Sequence, residues 1–316
     1  MDLSIVIVNW NSAELLMKCL ISMEKWFQGL TYEVFVVDNC SSEDDIVILR
    51  NEIQPRFPKV NISYNATNIG FGRANNQVLS LCSGKYTLFL NPDTCFISTG
   101  MKELLTTFDQ DDIGLVGCKL LKGDYTVQLS CFHFPYFWSV VANSLLISKL
   151  LPINIRRTFS YGIADQAKSF HPDWVLGAFM VLPTTVISRV GGFDPAIFMY
   201  GEDMELCYQV RKIGLKVCYV SDFAIVHYGG CSWRKAWSES RKEAKVHKAI
   251  LYFYHKHKGR GLESAVRVIF ALGALIRIII YTLGYILPRD LRQSTKKIKT
   301  QWLILLTQFR REFYSD

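Results

Sequence analysis

Four residues of this chain stand where an apolar run stops. Asp38 follows Val34-Phe35-Val36-Val37, Asp93 closes Asn91-Pro92-Asp93 after Tyr86–Leu90, and His227 follows Phe223-Ala224-Ile225-Val226. Asp203 opens a helical pattern carried by Leu206, Cys207, Val210 and Arg211. A carboxylate at the end of a buried strand can accept hydrogen bonds from a pyrimidine N–H or a ribose hydroxyl. It can also give a hard cation one oxygen ligand, or take a proton from an attacking hydroxyl. A histidine beside such a carboxylate can complete a cation site, and an imidazole ligand favours manganese over magnesium. Each residue type also has an ordinary structural use. Asp38 and Asp203 suit helix N-caps or turns, Asn-Pro-Asp is a common turn, and a lone histidine is often packed in a core. Glu202 beside Asp203 would raise the proton affinity of Asp203, while the amides at the start of the helix would hold its charge.

A second group of candidates is backbone-like. Asn68-Ile69-Gly70-Phe71-Gly72-Arg73-Ala74-Asn75-Asn76 shares two glycines with dinucleotide fingerprints, but it lacks the third and follows the third strand candidate instead of the first. The glycines would let the backbone approach a ligand, with Arg73 near it; a purely structural turn uses the same residues. Trp174 and Trp233, the first near Gly177 and Ala178, offer aromatic faces that suit sugar rings as well as they suit cores. His247, His255 and His257 lie among lysines and read as surface.

The elements that must place these residues alternate. Strand candidates are Leu3–Val8, Val34–Val37, Val60–Tyr64, Tyr86–Leu90 and Asp173–Leu182; Ser12 would cap a helix through Trp26, and further helices are expected near Glu43, over Asn75–Leu81 and from Glu202. Near-continuous apolar strands alternating with helices predict an α/β fold with a mostly parallel sheet covered on both faces. Ligands of such sheets sit at the carboxyl ends of strands, where Asn9, Asp38, Asn39, Asn91 and Asp93 collect. Residues 119–171, with a dense aromatic cluster at 132–138, read as a lid or substrate wall.

The chain has 316 residues, nine of them cysteine, and a net charge of +8. Its apolar content excludes a disordered tail protein, and the scattered cysteines, none in a C-x-x-C pair, suit a reducing compartment and argue against a zinc module. Ser4–Val8 is too short for the apolar region of a signal peptide. Residues 1–230 carry a net charge of −4 and residues 231–316 a net charge of +12. From Ala265 to Leu287, Val268, Ile269, Leu272, Leu275, Ile276, Ile279, Ile280, Leu283, Ile286 and Leu287 share one helical face, opposite Arg267, Arg277, Tyr281 and Tyr285. A second helix from Leu291 to Phe313 aligns Ile298, Trp302, Leu305, Leu306, Phe309 and Phe313, with Lys296, Lys297, Lys299, Arg310 and Arg311 off the stripe. Basic helices with wide apolar faces describe a peripheral attachment to an anionic membrane surface. The first is long enough to span a bilayer, at a cost of about 2.5–3.5 kcal/mol for Arg277 near mid-depth. The alternatives are packing on the preceding domain or on a second copy in a homodimer. A nucleic-acid partner is not expected, since no recognition module is present and the apolar stripes would stay wet.

Taken in order, Ser4–Asn11, Val36-Val37-Asp38-Asn39, Asn68–Asn76, Phe89–Asp93, Leu176-Gly177-Ala178-Phe179, Gly192-Phe193-Asp194, Tyr200–Leu206 and His227 make the sequence similar to family 2 glycosyltransferases of GT-A fold, in the rhamnosyltransferase-like branch. The resemblance covers about residues 3–230. It implies a catalytic domain over 1–232, with a nucleotide-sugar half to about 118 and an acceptor half after it, followed by a helical membrane-associating region over 233–316. It implies inverting transfer from a nucleotide-sugar donor, with dTDP-L-rhamnose as the branch's donor and a UDP-sugar as the alternative. The helices add a lipid-linked saccharide acceptor and a place on the cytoplasmic side of the inner or plasma membrane. The resemblance assigns Asp38 to the base and places Val8, Asn9, Asn68, Gly70, Arg73, Asn91 and Asp93 against the donor. Trp174, Gly177, Ala178 and Glu202 fall on the acceptor side, and Asp203 becomes the general base. Asp93 and His227 become ligands of Mn²⁺ or Mg²⁺. Asn91 stands where the family usually carries the first aspartate of its metal motif, which leaves one carboxylate there.

Overall fold

The computed structural model describes residues 1–229, 238–286 and 291–309; Trp233, Leu287, Arg310, Arg311 and Phe313 lie outside the described residues. The chain divides into two compact units, one of Met1–Phe132 with Gly162–Lys235 and one of His133–Tyr161 with Ala236–Asp316.

Among the described residues eleven strands are formed: β1 Leu3–Asn9, β2 Tyr32–Asp38, β3 Val60–Tyr64, β4 Tyr86–Leu90, β5 Thr94–Phe96, β6 Ile113–Leu121, β7 Val127–Gln128, β8 Cys131–Phe132, β9 Trp174–Val175, β10 Phe179–Pro183 and β11 Lys216–His227. The main sheet has the order β3-β2-β1-β4-β10-β6-β11-β5, with β7 paired to β6. β1, β2, β3, β4, β6 and β11 run one way; β10, β5 and β7 run against them. The fold is therefore α/β and mostly parallel, as the sequence predicts, but mixed in its second half.

β1 shows why its residues read as one apolar run. Leu3, Ile5 and Ile7 join one buried cluster, with Leu16, Cys19, Leu20 and Met23 of helix α1 (Ala13–Trp26); Val6 and Val8 join another, with Phe89, Phe193 and Leu206. Side chains alternate along a strand, so both faces must be apolar when helices cover both. The expected strand over Asp173–Leu182 is broken into β9 and β10 by a turn at Gly177-Ala178. The expected helix over Asn75–Leu81 starts earlier: α3 is Phe71–Asn76, following helix α2 (Glu43–Ile48), and only a short 3₁₀ turn covers Leu79–Leu81.

The second unit is helical: α7 Arg260–Ile286 packs with α4 Phe137–Ser144, α6 Glu239–His257 and α8 Leu291–Gln308, while α5 (Glu202–Lys212) belongs to the first unit. Ala244, Ala274, Ile304 and Leu305 form its small core. Gly273 lies so close to α4 that a Cβ there would come within 2.5 Å of the Ser144 carbonyl. Arg277 donates to the carbonyls of Ser144 and Asn143 at the end of α4, which satisfies groups a helix terminus leaves open. Arg267 donates to Glu263 and to the Gln308 carbonyl, each at 2.6 Å. The stripe expected on α8 is divided: Leu305 is buried, whereas Trp302, Leu306 and Phe309 are exposed. His247 is not a plain surface residue, because its ring meets Phe270 at 4.5 Å and burial lowers its pKa. His255 lies 3.5 Å from Glu263.

Candidate active site

The ends of β1 and β2 carry a closed polar knot. Asn9 and Asp38 are register partners, and Asn9 Nδ2 donates to Asp38 Oδ1 at 2.9 Å and to Asp45 Oδ2 at 2.7 Å. The Ser41 hydroxyl donates to Asp38 Oδ1 at 2.6 Å, and its backbone N–H to Oδ2 at 3.1 Å. Asp45 Oδ1 accepts the Ala13 N–H at 2.8 Å, so this distant carboxylate caps α1. The cap was expected from Ser12, whose hydroxyl instead donates to the Trp10 carbonyl. Asn9 and Asp38 are fully buried, and Asn9 Oδ1 has no hydrogen-bond partner. The Val8 side chain belongs to the core. Beside the knot, Asn39 Nδ2 donates to Asn68 Oδ1 at 2.9 Å, and Asn68 Oδ1 also accepts the Gly70 N–H at 3.0 Å. Asp45 carried no sequence signal, since its partners Asn9 and Ala13 lie 36 and 32 positions away.

The glycine-rich segment holds a loop. Gly70 has φ +89°, and a Cβ there would stand 2.5 Å from the Phe198 carbonyl oxygen. Asn76 grips the Phe193 backbone from both sides, donating to its carbonyl at 2.7 Å and accepting its N–H at 2.9 Å. Arg73, expected near a nucleotide, donates from Nε to the Pro195 carbonyl at 2.6 Å. These bonds fix the segment that runs into Tyr200, which has φ +69°, and Gly201, which has φ +98°. A non-glycine residue in that region costs about 1–3 kcal/mol and needs such support. The reward is the placement of α5, which starts at Glu202, itself buried, with Asp203 next.

Asp203 is held by two backbone donors: Met204 N–H at 2.8 Å to Oδ1, and Gly177 N–H at 3.1 Å to Oδ2. Burial raises its pKa, opposed by those two hydrogen bonds. Two positions from Phe179, where β10 begins against Leu90, Gly177 links the base candidate to the end of β4. Ala178 is buried, and its carbonyl accepts the Asn91 N–H at 3.0 Å. Thus the Asn91-Pro92-Asp93 corner and Asp203 are joined through the two residues Gly177 and Ala178. Trp174 stacks on Phe132 with ring centroids 4.2 Å apart, which occupies one of its faces.

Asp93 and His227 meet because β5 pairs antiparallel with β11, opposing His227 to Thr94. His227 Nε2 lies 3.2 Å from Asp93 Oδ1, and both side chains are buried. On the other side of the ring, Nδ1 is 3.1 Å from Gln128 Oε1, brought in by β7. An amide oxygen there favours the Nδ1–H tautomer and turns the Nε2 lone pair toward the carboxylate. Two electron-pair donors face each other only with a proton or a cation between them, and a spacing near 3 Å suits adjacent ligands about 2.0–2.2 Å from one metal. The donor set fits a divalent cation, whose remaining ligands would be water and donor phosphate. Among the described residues no third His, Cys, Asp or Glu joins these two.

A parallel half-sheet ending in a polar knot, with a histidine–carboxylate corner joined to Asp203 through Gly177 and Ala178, belongs to an α/β fold of GT-A type. Residues 4–145, somewhat less than half of the chain, match the model of the glycosyl transferase family 2. Among its relatives, the rhamnosyltransferase WbbL of Escherichia coli (strain K12) is 26% identical over 223 residues, 66% of this chain and 77% of that protein. The N-acetylglucosaminyl-diphospho-decaprenol L-rhamnosyltransferase of Mycobacterium tuberculosis is 24% identical over 224 residues, 65% of this chain and 70% of that protein. The mannosyltransferase PcManGT from Pyrobaculum calidifontis, solved with GDP-Man and Mn²⁺, shares the fold with a TM-score of 0.58 at 13% identity, covering 97% of this chain and 85% of its own.

Proposed function

We propose that this glycosyltransferase moves L-rhamnose, with inversion, from dTDP-L-rhamnose to a lipid-linked saccharide. It would work as a peripheral protein on the cytoplasmic face of the membrane, in the assembly of a surface polysaccharide. The observation that carries the reading is the two-residue bridge between Asp93 and Asp203. It gives one end of the sheet both a cation corner and a carboxylate of raised proton affinity. The rhamnosyltransferases among its relatives support the sugar, and the basic helical unit supports the membrane and the lipid-linked acceptor.

In this reading Asp38 holds the base of the nucleotide, in a position fixed by Asn9 and Ser41. Asp93 and His227 hold Mn²⁺ or Mg²⁺, which when bound neutralises charge on the departing diphosphate. Asp203 takes the proton from the acceptor hydroxyl as its oxygen bonds to the anomeric carbon. The bond from that carbon to the diphosphate oxygen breaks, and the nucleoside diphosphate leaves with the electron pair. The Gly177 and Met204 N–H groups fix the direction of the Asp203 carboxylate. The test is a panel of nucleotide sugars with manganese or magnesium, scored for nucleoside diphosphate release. Release from dTDP-L-rhamnose that is lost in Asp93→Ala supports the reading. Release only from a UDP-sugar replaces the donor, and release from none of the donors with either metal rejects an active transferase.

A further inference from the structure

The helical unit contains a segment that the sequence placed with the acceptor half. Residues 133–161 pack with 236–316, and they contain Lys149, Arg156 and Arg157 but no Asp or Glu. With them the unit carries a net charge of +13 and the remainder of the chain −5. The segment is also apolar where it meets solvent. Leu150 is 86% exposed, Trp138 70% and Ile153 59%, with Ile147 and Ile155 exposed as well.

The faces of α7 show where the segment lies. At about 100° per residue, Gly273 and Arg277, which touch the end of α4, sit at one border of its buried arc. Arg267, which reaches the Gln308 carbonyl of α8, lies toward the other border, and Ala271 packs there. The arc left over carries Val268, Leu272, Leu275, Ile276, Ile279, Ile280 and Leu283, all exposed. That apolar arc is thus flanked by the end of α4 on one side and by α8 on the other. α8 in turn exposes Trp302, Leu306 and Phe309, with Lys296 and Lys299 exposed on the same helix. Soluble proteins seldom leave an apolar band of this extent open.

We infer that residues 136–157 form a second, internal part of the membrane-binding face. Trp138, Leu150 and Ile153 would enter the interface of an anionic bilayer beside α7, with Lys149, Arg156 and Arg157 at the level of the headgroups. Charge selects this occupant. A second copy would bring the same positive charge against the face, whereas acidic lipid complements it. Trp at the edge of such a band suits the headgroup region. The inference rests on the membrane attachment proposed above and assigns part of it to a segment inside the catalytic sequence.

The experiment uses the full chain in flotation with vesicles of phosphatidylcholine and phosphatidylglycerol, and of phosphatidylcholine alone. One variant carries Trp138→Ser, Leu150→Glu and Ile153→Glu; another carries Ile279→Glu and Leu283→Glu in α7. All substituted side chains are exposed, and circular dichroism with thermal melting checks that each variant folds. The expected result is preference for the anionic vesicles, reduced about ten-fold or more by either variant. Flotation of the first variant equal to wild type, with the second impaired, overturns the internal contribution and leaves the attachment through α7 standing. Wild type that floats with neither vesicle overturns the attachment itself. Sedimentation in which the first variant dissociates a dimer while floating normally gives the face to a second copy and overturns the inference.

Discussion

The ends of β1 and β2 and the corner made by β4, β5 and β11 present the same residue types and use them differently. At the first, Asp38 has both carboxylate oxygens engaged by Asn9 and Ser41, and Asp45 has both engaged by Asn9 and Ala13. At the second, Asp93 faces a histidine nitrogen, and Asp203 takes one backbone N–H on each oxygen. Asp38 accepts three hydrogen bonds of the roughly four a carboxylate can take, so it holds the knot and keeps one position for a ligand. Asp203 accepts two and keeps more capacity to take a proton. In the knot one side-chain donor, Asn9 Nδ2, ties the two carboxylates together, whereas at the corner each carboxylate meets its own partners.

The contrast is broken most sharply at Asp203. Asp203→Asn keeps the shape and the hydrogen bond from Gly177 but removes the base, so kcat for sugar transfer should fall by roughly 10²–10⁴ with the fold retained. Steady-state rates beside circular dichroism decide this, and near-normal turnover would remove Asp203 from the chemistry. Next, Gln128→Leu should weaken metal binding at the histidine corner, raising the manganese concentration for half-maximal activity by about 10–100-fold. An unchanged requirement would show that the orientation of His227 does not matter to the metal. At the ends of β1 and β2, Asp45→Ala should leave kcat within a few-fold and cost about 1–3 kcal/mol of stability, because the Ala13 N–H and Asn9 Nδ2 lose a buried acceptor. Urea denaturation measures it, and a collapse of kcat larger than that of KM would contradict a holding role.

The smallest effect concerns pH. Burial raises the Asp203 pKa above its ordinary value of 3.8, so the folded protein binds this proton more readily than the unfolded chain. The sign follows: this group costs stability as pH rises through the window between its unfolded and its raised folded pKa, and the cost is absent at lower pH. Asp203→Asn should therefore melt higher than wild type at neutral pH, with the gap closing in acid. A gap that widens in acid would mean that the side chain is stabilised as an anion.

Much of the site was legible because buried strands write themselves as apolar runs. Asn9, Asp38 and Asp93 each end or follow such a run, and parallel strands bring their carboxyl ends to one edge. Asp203 was legible from the helical pattern it opens. Gln128 was not, because a two-residue strand has no period to detect. Asp45 was not, because its work is done on residues some thirty positions earlier. The bond from Arg73 Nε to the Pro195 carbonyl was not legible either, because that partner lies more than a hundred residues away. On α8, Leu305 and Leu306 belong to one sequence stripe, yet the packing of Ile304 and Leu305 against Ala274 turns them to opposite environments.

By itself the sequence determined the alternation of strands and helices, the polar residues at the strand ends, and the charge asymmetry between the body of the chain and its tail. These are local properties: period, residue type and count. Tertiary structure alone decided that β5 turns back beside β11 to set His227 against Asp93, that Gly177 and Ala178 join that corner to Asp203, and that residues 133–161 leave the sheet for the helices. Those outcomes depend on which surfaces bury each other and on backbone hydrogen bonds between distant residues, and neither leaves a mark within any short window of the chain.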